Sequence, residues 1–239
     1  MHFHVITLFP KAFDSYLGES ILKRAIEDKK LKVSFYNPRD FVDNKWKRVD
    51  RPPYGGGPGL VIEAMPVVRA IEKALASSKK QVVSSKKKPT IYSILPTTKI
   101  IFLSPRGKQF TNDYAKKVSK KYKDIILISG RYEGIDARVK KVFSARGGSA
   151  YGGKVEEVSV GPFVLTGGEL PAMTIIDAVS RQVPGILGNL DSIEERRVST
   201  SEVYTRPEIF KYKGKNYRVP KVLLSGHQAK IEEWKRKQK

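Results

Sequence analysis

Up to Val183 the chain is built of short apolar blocks whose period switches between about two residues, as in a strand, and about 3.6, as in a helix. Phe3 to Leu8 is apolar and β-prone, and Pro10 ends it. Ile21, Leu22, Ala25 and Ile26 recur at helical spacing, so Glu19 to Lys29 reads as an amphipathic helix, and the alternation in Leu31 to Tyr36 reads as a strand. A second helix begins near Pro66 and runs roughly to Ala76. Ile100 to Leu103 reads as a short buried strand ending in Ser-Pro-Arg-Gly, Asn112 to Tyr122 as a helix, and Ile125 to Ile128 as another apolar strand. A helix through Val142 follows, then the apolar run Val158 to Leu165, broken by Gly161-Pro162. The next helix carries Ala172, Ile175, Ile176, Val179 and Val183 on one face. Short strands alternating with helices predict an α/β fold with a largely parallel sheet.

The stretches between these blocks differ in kind. NPRDFVDNKWKRVDRPPYGGGPG has no periodicity, and a loop of that length in a compact domain is usually functional or disordered; its aromatic residues speak against disorder. Ser77 to Lys99, with two Ser-Ser-Lys-Lys blocks, reads as a solvated insertion. Phe143 to Lys154 reads as a second, glycine-rich insertion. From Pro184 the chain turns polar and linker-like. The tail offers a β-like run from Val219 to Leu224 and a helix ending in Glu-Glu-Trp-Lys-Arg-Lys-Gln-Lys, too little for an independent domain.

Composition narrows the function classes. Lys and Arg number 46 against 24 Asp and Glu, for a net charge of +22. Such a field attracts polyanions, nucleic acid first among them; a lysine-rich solubilising surface is the blander reading. No apolar run approaches the ~18 residues of a membrane span, and the N-terminus lacks the pattern of a signal peptide. With no cysteine in the chain, disulfides, thiolate metal sites and cysteine nucleophiles are excluded. These features fit a cytoplasmic protein with no membrane partner.

Glycine gathers after the apolar strands in three places, Ser104 to Gly107, Ser129 to Asp136 and Ser159 to Glu169. In an open parallel sheet, ligands sit beyond the C-terminal strand ends. Glycine there lets backbone groups approach a ligand, and Leu103, Ile135, Phe163 and Leu165 could wall a purine. Three ordinary turns are the alternative. Neither phosphate-binding pattern, G-x-x-x-x-G-K-[ST] or G-x-G-x-x-G after a strand, is present, so a nucleotide ligand would be held by base and sugar, as suits an adenosyl cofactor without phosphates. The spacing of Asp and His predicts no structural zinc site and no metal ligand; His2 and His4 read as alternating strand positions.

Six strings in order carry a family resemblance: PRDF at Pro38 to Phe41, PYGGGPG at Pro53 to Gly59, GRYEGID at Gly130 to Asp136, GGELPAM at Gly167 to Met173, YTRPE at Tyr204 to Glu208 and LLSGH at Leu223 to His227. Together they resemble the bacterial tRNA (guanine-37-N1)-methyltransferases, the TrmD family of the SPOUT superfamily. The resemblance implies a parallel-sheet α/β domain with a deep trefoil knot, which no periodicity could reveal. It implies S-adenosylmethionine as methyl donor, tRNA as substrate and a homodimer with active sites at the subunit interface. By position, Gly130, Val160, Gly161, Pro162, Phe163, Val164 and Leu165 match the cofactor contacts, with Leu103, Ser104, Tyr132, Gly134, Gly167, Gly168 and Pro171 around them. Glu133 resembles a guanine-contacting residue, and Tyr54, Gly55, Gly56 and Gly57 fall in a substrate-binding string. The expected division is a methyltransferase domain over residues 1–183, a linker over 184–203 and a shortened, helical tRNA-binding region over 204–239.

The chemistry needs a base for the guanine N1 proton and a cation for the charge that grows on O6. Arg181 matches the family's catalytic arginine, with an ion pair to Asp177 as the alternative role. The family's catalytic aspartate, counted from Arg181 without gaps, falls on Arg196, which cannot accept a proton. Glu195 is the first expected replacement, Asp191 the second and Glu133 a fallback. Mg²⁺ is a family trait to which Glu133, Glu169 and Asp136 could contribute. The C-terminal helices of the family are expected to be missing or shortened here. A silent RNA-binding relative and a knotted methyltransferase for another RNA position are the competing readings.

Overall fold

The computed structural model describes residues 1–80, 97–144, 155–188 and 202–238. They form two compact units, Met1–Ile186 and Leu187–Lys239.

The first unit is built on five parallel strands: β1 (His2–Ile6), β2 (Lys32–Tyr36), β5 (Thr98–Gln109), β6 (Asp124–Ile128) and β7 (Val155–Ser159), in the order β2-β1-β6-β5-β7. β1 and β6 are buried at every position, which is why their sequences are nearly continuous apolar runs rather than alternating ones. Side chains still alternate between two cores. Phe3, Val5, Ile101, Ile125 and Leu127 pack beneath α2 (Ser20–Glu27), α4 (Asn112–Lys121) and α6 (Glu169–Ser180). Ile6, Ile100, Phe102, Ile126 and Ile128 pack beneath α3 (Ala64–Lys80) and α5 (Arg138–Ser144). A short helical turn, α1 (Asp14–Leu17), follows a 3₁₀ turn at Pro10–Phe13. The α/β expectation and the strand and helix positions around β1, β2, α2, α4, β6 and α6 agree with this architecture.

Several sequence expectations need correction. α3 continues past Ala76 to Lys80, and Ser78 is fully buried. Thr98 and Lys99, read as part of an insertion, are buried in β5, where Lys99 Nζ pairs with Glu156 at 2.8 Å. Residues 81–96 of that stretch lie outside the described residues, as do 145–154. Phe143 is fully buried on α5 rather than part of an insertion. β5 does not end at Leu103: its pairing with β7 shifts between Leu103 and Lys108, so Ser104 to Gly107 is a bulge within a long strand. β7 begins at Val155 and ends at Ser159, before the Gly161-Pro162 break. The long polar stretch after β2 contains a 3₁₀ turn at Pro38–Phe41 and a small antiparallel pair, β3 (Asp50–Arg51) with β4 (Val61–Ile62), so Tyr54 to Gly59 lies at a hairpin tip.

In the second unit, β8 (Ile209–Tyr212) and β9 (Lys215–Arg218) form an antiparallel hairpin. Its turn, Lys213-Gly214, has φ values of 45° and 77°, the left-handed pair that matches hairpin twist. The run Val219 to Leu224 is not a strand. Pro220 sits at the N-cap of the helical turn α7 (Lys221–Leu224), and the chain continues into α8 (Gln228–Lys237). Both strands are polar and aromatic, which left them without an apolar signal.

At the N-terminal end of the sheet, burial and the neighbouring His4 push the His2 imidazole down to about 3. A group whose folded pKa is lowered contributes stability that is present above its unfolded value and lost as pH falls. The protein is therefore expected to lose stability as pH falls from about 6.5 to 3. Thermal unfolding at stepped pH should show a flatter acid limb for His2→Asn; an unchanged limb would assign the loss to other groups.

Candidate active site

The bulge of β5 and the C-terminal ends of β6 and β7 enclose a cleft of about 700 Å³, within the range of small-molecule sites. It is built from the three glycine-centred segments, and their contacts with one another explain the glycines. Gly168 N donates to Gly130 O at 2.9 Å, and Ser129 Oγ donates to Gly168 O at 3.1 Å. A Cβ on Gly168 would lie 2.6 Å from Ser129 Cα and 3.0 Å from Gly130 N. A Cβ on Gly107 would lie 2.4 Å from Val158 N, so the β5 bulge presses directly on β7. Tyr132 and Gly134 both adopt positive φ, 58° and 118°, in the turn closed by Gly134 N donating to Arg131 O.

That turn is held from outside by the PYGGGPG hairpin. Glu133 N donates to Leu60 O, Ile62 N to Gly134 O, and Asp136 N to Ile62 O, each at 3.0 Å. Gly59 gives the Glu133 side chain room, since a Cβ there would meet Glu133 Oε1 at 2.5 Å. From inside the turn is held by a buried carboxylate. Glu169, at the first turn of α6, accepts from Thr7 Oγ1 at 2.7 Å and pairs with Arg131 Nε at 2.9 Å. The Arg131 guanidinium in turn lies 4.6 Å from the centre of the Phe9 ring. The Thr-Leu-Phe-Pro end of β1 thereby supports the second loop.

The structure brings most of the expected cofactor residues together. Leu103, Ser104, Gly130, Tyr132, Gly134, Val160, Gly161, Phe163, Val164, Leu165, Gly167, Gly168 and Pro171 line the cleft, and so does Glu133. Pro162 is exposed and does not line it. Tyr54, fully exposed, and Gly55 to Gly57 also lie off the lining; their hairpin reaches the site only through its root. Arg181, half-buried at the C-cap of α6, lies off the lining too. Its suggested partner Asp177 accepts a hydrogen bond from the Tyr16 hydroxyl at 2.7 Å, which raises the Tyr16 pKa. Glu195, Asp191 and Arg196 lie outside the described residues.

Sequence reading missed the cations Arg106, Arg131 and Lys140 in the lining. Arg131 stands within the quoted GRYEGID string and Arg106 within the Ser104 to Gly107 segment; no local signal marks Lys140. Of the lining carboxylates, Glu157 pairs with Lys140. Asp136 pairs with Arg138 at 2.6 Å, and that hydrogen bond holds its carboxyl below the usual range. Among the described residues, the Glu133 carboxylate makes no hydrogen bond or ion pair, so it is the acid in the cleft not committed to a structural partner.

Comparison with known proteins agrees with this geometry. A family model described as "tRNA (Guanine-1)-methyltransferase TrmD" matches residues 1–239. The chain is 39% identical over 242 residues to a tRNA (guanine-N(1)-)-methyltransferase of Clostridioides difficile strain 630, covering 100% of this chain and 92% of the relative. It is 44% identical over 240 residues to one from Caldanaerobacter subterraneus subsp. tengcongensis, covering 99% and 86%. A protein of the same name from Pseudoalteromonas atlantica is 41% identical over 240 residues, covering 99% and 79%.

Proposed function

The chain belongs to the tRNA (guanine-1)-methyltransferase family, TrmD, and from that premise we propose that it transfers a methyl group from S-adenosylmethionine to N1 of guanosine 37 in tRNA. The observation that carries the reading is the cleft itself: the GRYEGID and GGELPAM strings, distant in sequence, meet across Gly130 and Gly168 to enclose it. The cleft fits the cofactor by chemistry. It offers close backbone approach and apolar walls from Leu103, Ile135, Phe163 and Leu165, and the sequence has no phosphate-binding loop of either familiar kind. Leu103, Ser104, the Gly130 to Gly134 turn, Val160, Gly161, Phe163 to Leu165, Gly167, Gly168 and Pro171 would hold the adenosyl and methionyl parts. The bound cofactor supplies an electrophilic methyl group on a sulfonium.

The chain's own residues handle proton and charge. Glu195 takes the guanine N1 proton, with Asp191 next in line. Arg181 meets the charge that develops on O6 through its planar fork, and Glu133 contacts the guanine edge. Mg²⁺, if used, has Glu133 to bind: Glu169 is tied to Thr7 and Arg131, and Asp136 to Arg138. In the same reading, the three glycine-centred segments form the knotted part; residues 1–183 form the methyltransferase domain, 184–203 the linker and 204–239 the shortened tRNA-binding region. The active form is a homodimer. Phe163, Val164 and Leu170 stand exposed beside the cleft, as a surface awaiting a second copy would.

The test is methyl transfer from labelled S-adenosylmethionine to a transcript with guanosine at positions 36 and 37, beside one with adenosine at 37. Transfer to the first alone is expected. Transfer to neither, with cofactor binding intact, would favour the silent RNA-binding relative, and transfer to both would point to another RNA position. Glu195→Gln is expected to lower the transfer rate about 10²-fold or more. If Glu195→Gln and Asp191→Asn both keep full rate, the base is elsewhere, and Glu133→Gln is the next variant to assay. The net charge of +22 predicts phosphate-dominated binding, so tRNA affinity should fall about 10-fold or more between 50 and 200 mM salt. A flat salt response would count against it.

A further inference from the structure

A cluster of polar groups beneath α3, at the end of the sheet opposite the cleft, takes no part in the proposed chemistry. His2 and His4 occupy alternate positions of β1 and so point to one face. Asp124 opens β6 directly beside His2. All three residues are almost completely buried, at 3%, 0% and 3% exposure. The nitrogens facing inward converge on one oxygen: His4 Nε2 is 3.0 Å and His2 Nδ1 3.5 Å from Asp124 Oδ1, and the three atoms lie within 4.8 Å of one another. The outward nitrogens have hydroxyl neighbours, His2 Nε2 at 2.9 Å from Ser34 Oγ and His4 Nδ1 at 3.0 Å from the Tyr36 hydroxyl.

Ser78 Oγ lies 3.1 Å from His4 Nε2 but gives its own proton to Ala74 O. Two oxygens, Ser78 Oγ and Asp124 Oδ1, thus face the one His4 Nε2.

A divalent cation at the centre fits the arrangement of these three ligand atoms. Tetrahedral coordination at about 2.0–2.1 Å sets ligand atoms about 3.3 Å apart, and the observed 3.0 and 3.5 Å bracket that spacing. Two imidazoles with a carboxylate suit zinc and disfavour magnesium or calcium. Outer ring nitrogens donating to hydroxyls are the support that metal-bound histidines use to fix their tautomer. We propose that His2 Nδ1, His4 Nε2 and Asp124 Oδ1 bind a zinc(II) ion, with the Ser78 hydroxyl or a water in the fourth position. The site is structural. β6 runs five residues, Asp124–Ile128, so about 16 Å of strand separates the ion from the cleft. The ion ties the start of β1 to β6, against β2 and α3.

The full-length chain without a tag, incubated with zinc and desalted, should retain about one zinc per chain by elemental analysis. Its melting temperature should rise by several degrees over the EDTA-treated protein. Asp124→Asn and His2→Gln should lose both the zinc and the shift while their EDTA-treated forms melt near the EDTA-treated wild type. Cobalt(II) supplies a readout that needs no variant: the wild type should show the intense visible bands of a four-coordinate site, discharged by zinc. Substoichiometric zinc, zinc retained equally by both variants, or only the weak spectrum of octahedral cobalt would each overturn the proposal.

Discussion

Arg181→Ala is expected to lower single-turnover methyl transfer about 10²–10³-fold, the usual cost of removing one donor from a developing negative charge, while S-adenosylmethionine affinity stays within about twofold. The split follows from position. Arg181 caps the C-terminus of α6 and does not line the cleft formed by the cofactor loops, so its loss should leave cofactor binding intact. Arg181→Lys keeps the charge but not the planar fork, and should recover only part of the rate. Calorimetric titration of the cofactor beside a rapid-quench transfer assay separates the two effects; a parallel fall in both would make Arg181 a cofactor ligand. Because Arg181 lies off its own chain's cleft, mixing Arg181→Ala with a cofactor-deficient variant also probes the homodimer. Recovered activity in the mixture would mean that two copies share one site.

Gly168→Ala is expected to be that cofactor-deficient variant. Its new Cβ would fall 2.6 Å from Ser129 Cα and 3.0 Å from Gly130 N. Both are backbone atoms at the end of a strand buried on each face, so neither can move without opening the Gly168–Gly130 hydrogen bond of 2.9 Å. Overpacking of this kind costs about 1–3 kcal/mol, or a fall in melting temperature of roughly 2–10 °C for a unit of this size. Cofactor affinity should fall about 10-fold or more, since the displaced loops are the cleft walls. Gly161→Ala is the contrast. There the crowding atoms belong to the Phe163 ring, with the nearest at 2.1 Å. An exposed side chain can turn away, so the stability loss should be smaller. Equal losses in both variants would mean that backbone crowding is not what makes Gly168 necessary.

The α/β class and the elements of the first unit were legible because buried parallel strands write themselves as apolar runs. Ile125 to Ile128 is such a run in β6, and Ala172, Ile175, Ile176 and Val179 recur instead at the helical spacing of α6. The glycine segments were legible as a group, and most of their residues do line one cleft. Elements whose stability comes from partners were not legible. Lys99 looked like part of a lysine-rich insertion, yet Glu156 on the neighbouring strand lets it sit buried in β5. Ser104 to Gly107 looked like a terminal loop because the pairing across β7 that continues the strand is not written in it. β8 and β9 were missed because their pairing, stacked Phe210 and Tyr217 rings included, replaces an apolar pattern.

The fold class, the excess of positive charge, the absence of thiol chemistry and, through the ordered strings, the family can all be read without coordinates. These are properties of composition and local order. Only the tertiary structure decided which distant groups meet. It joined Gly168 to Gly130, tied Glu169 to Thr7 and Arg131, left Glu133 as the uncommitted acid in the cleft, and kept Arg181 off the lining. It also placed Asp124, 120 residues from His4, against two histidines whose spacing alone predicted no metal. The reason is geometric. A parallel sheet pairs strands by crossover rather than by neighbourhood in sequence, so the atoms that share a proton, a ligand or an ion are fixed by strand order, which no local pattern records.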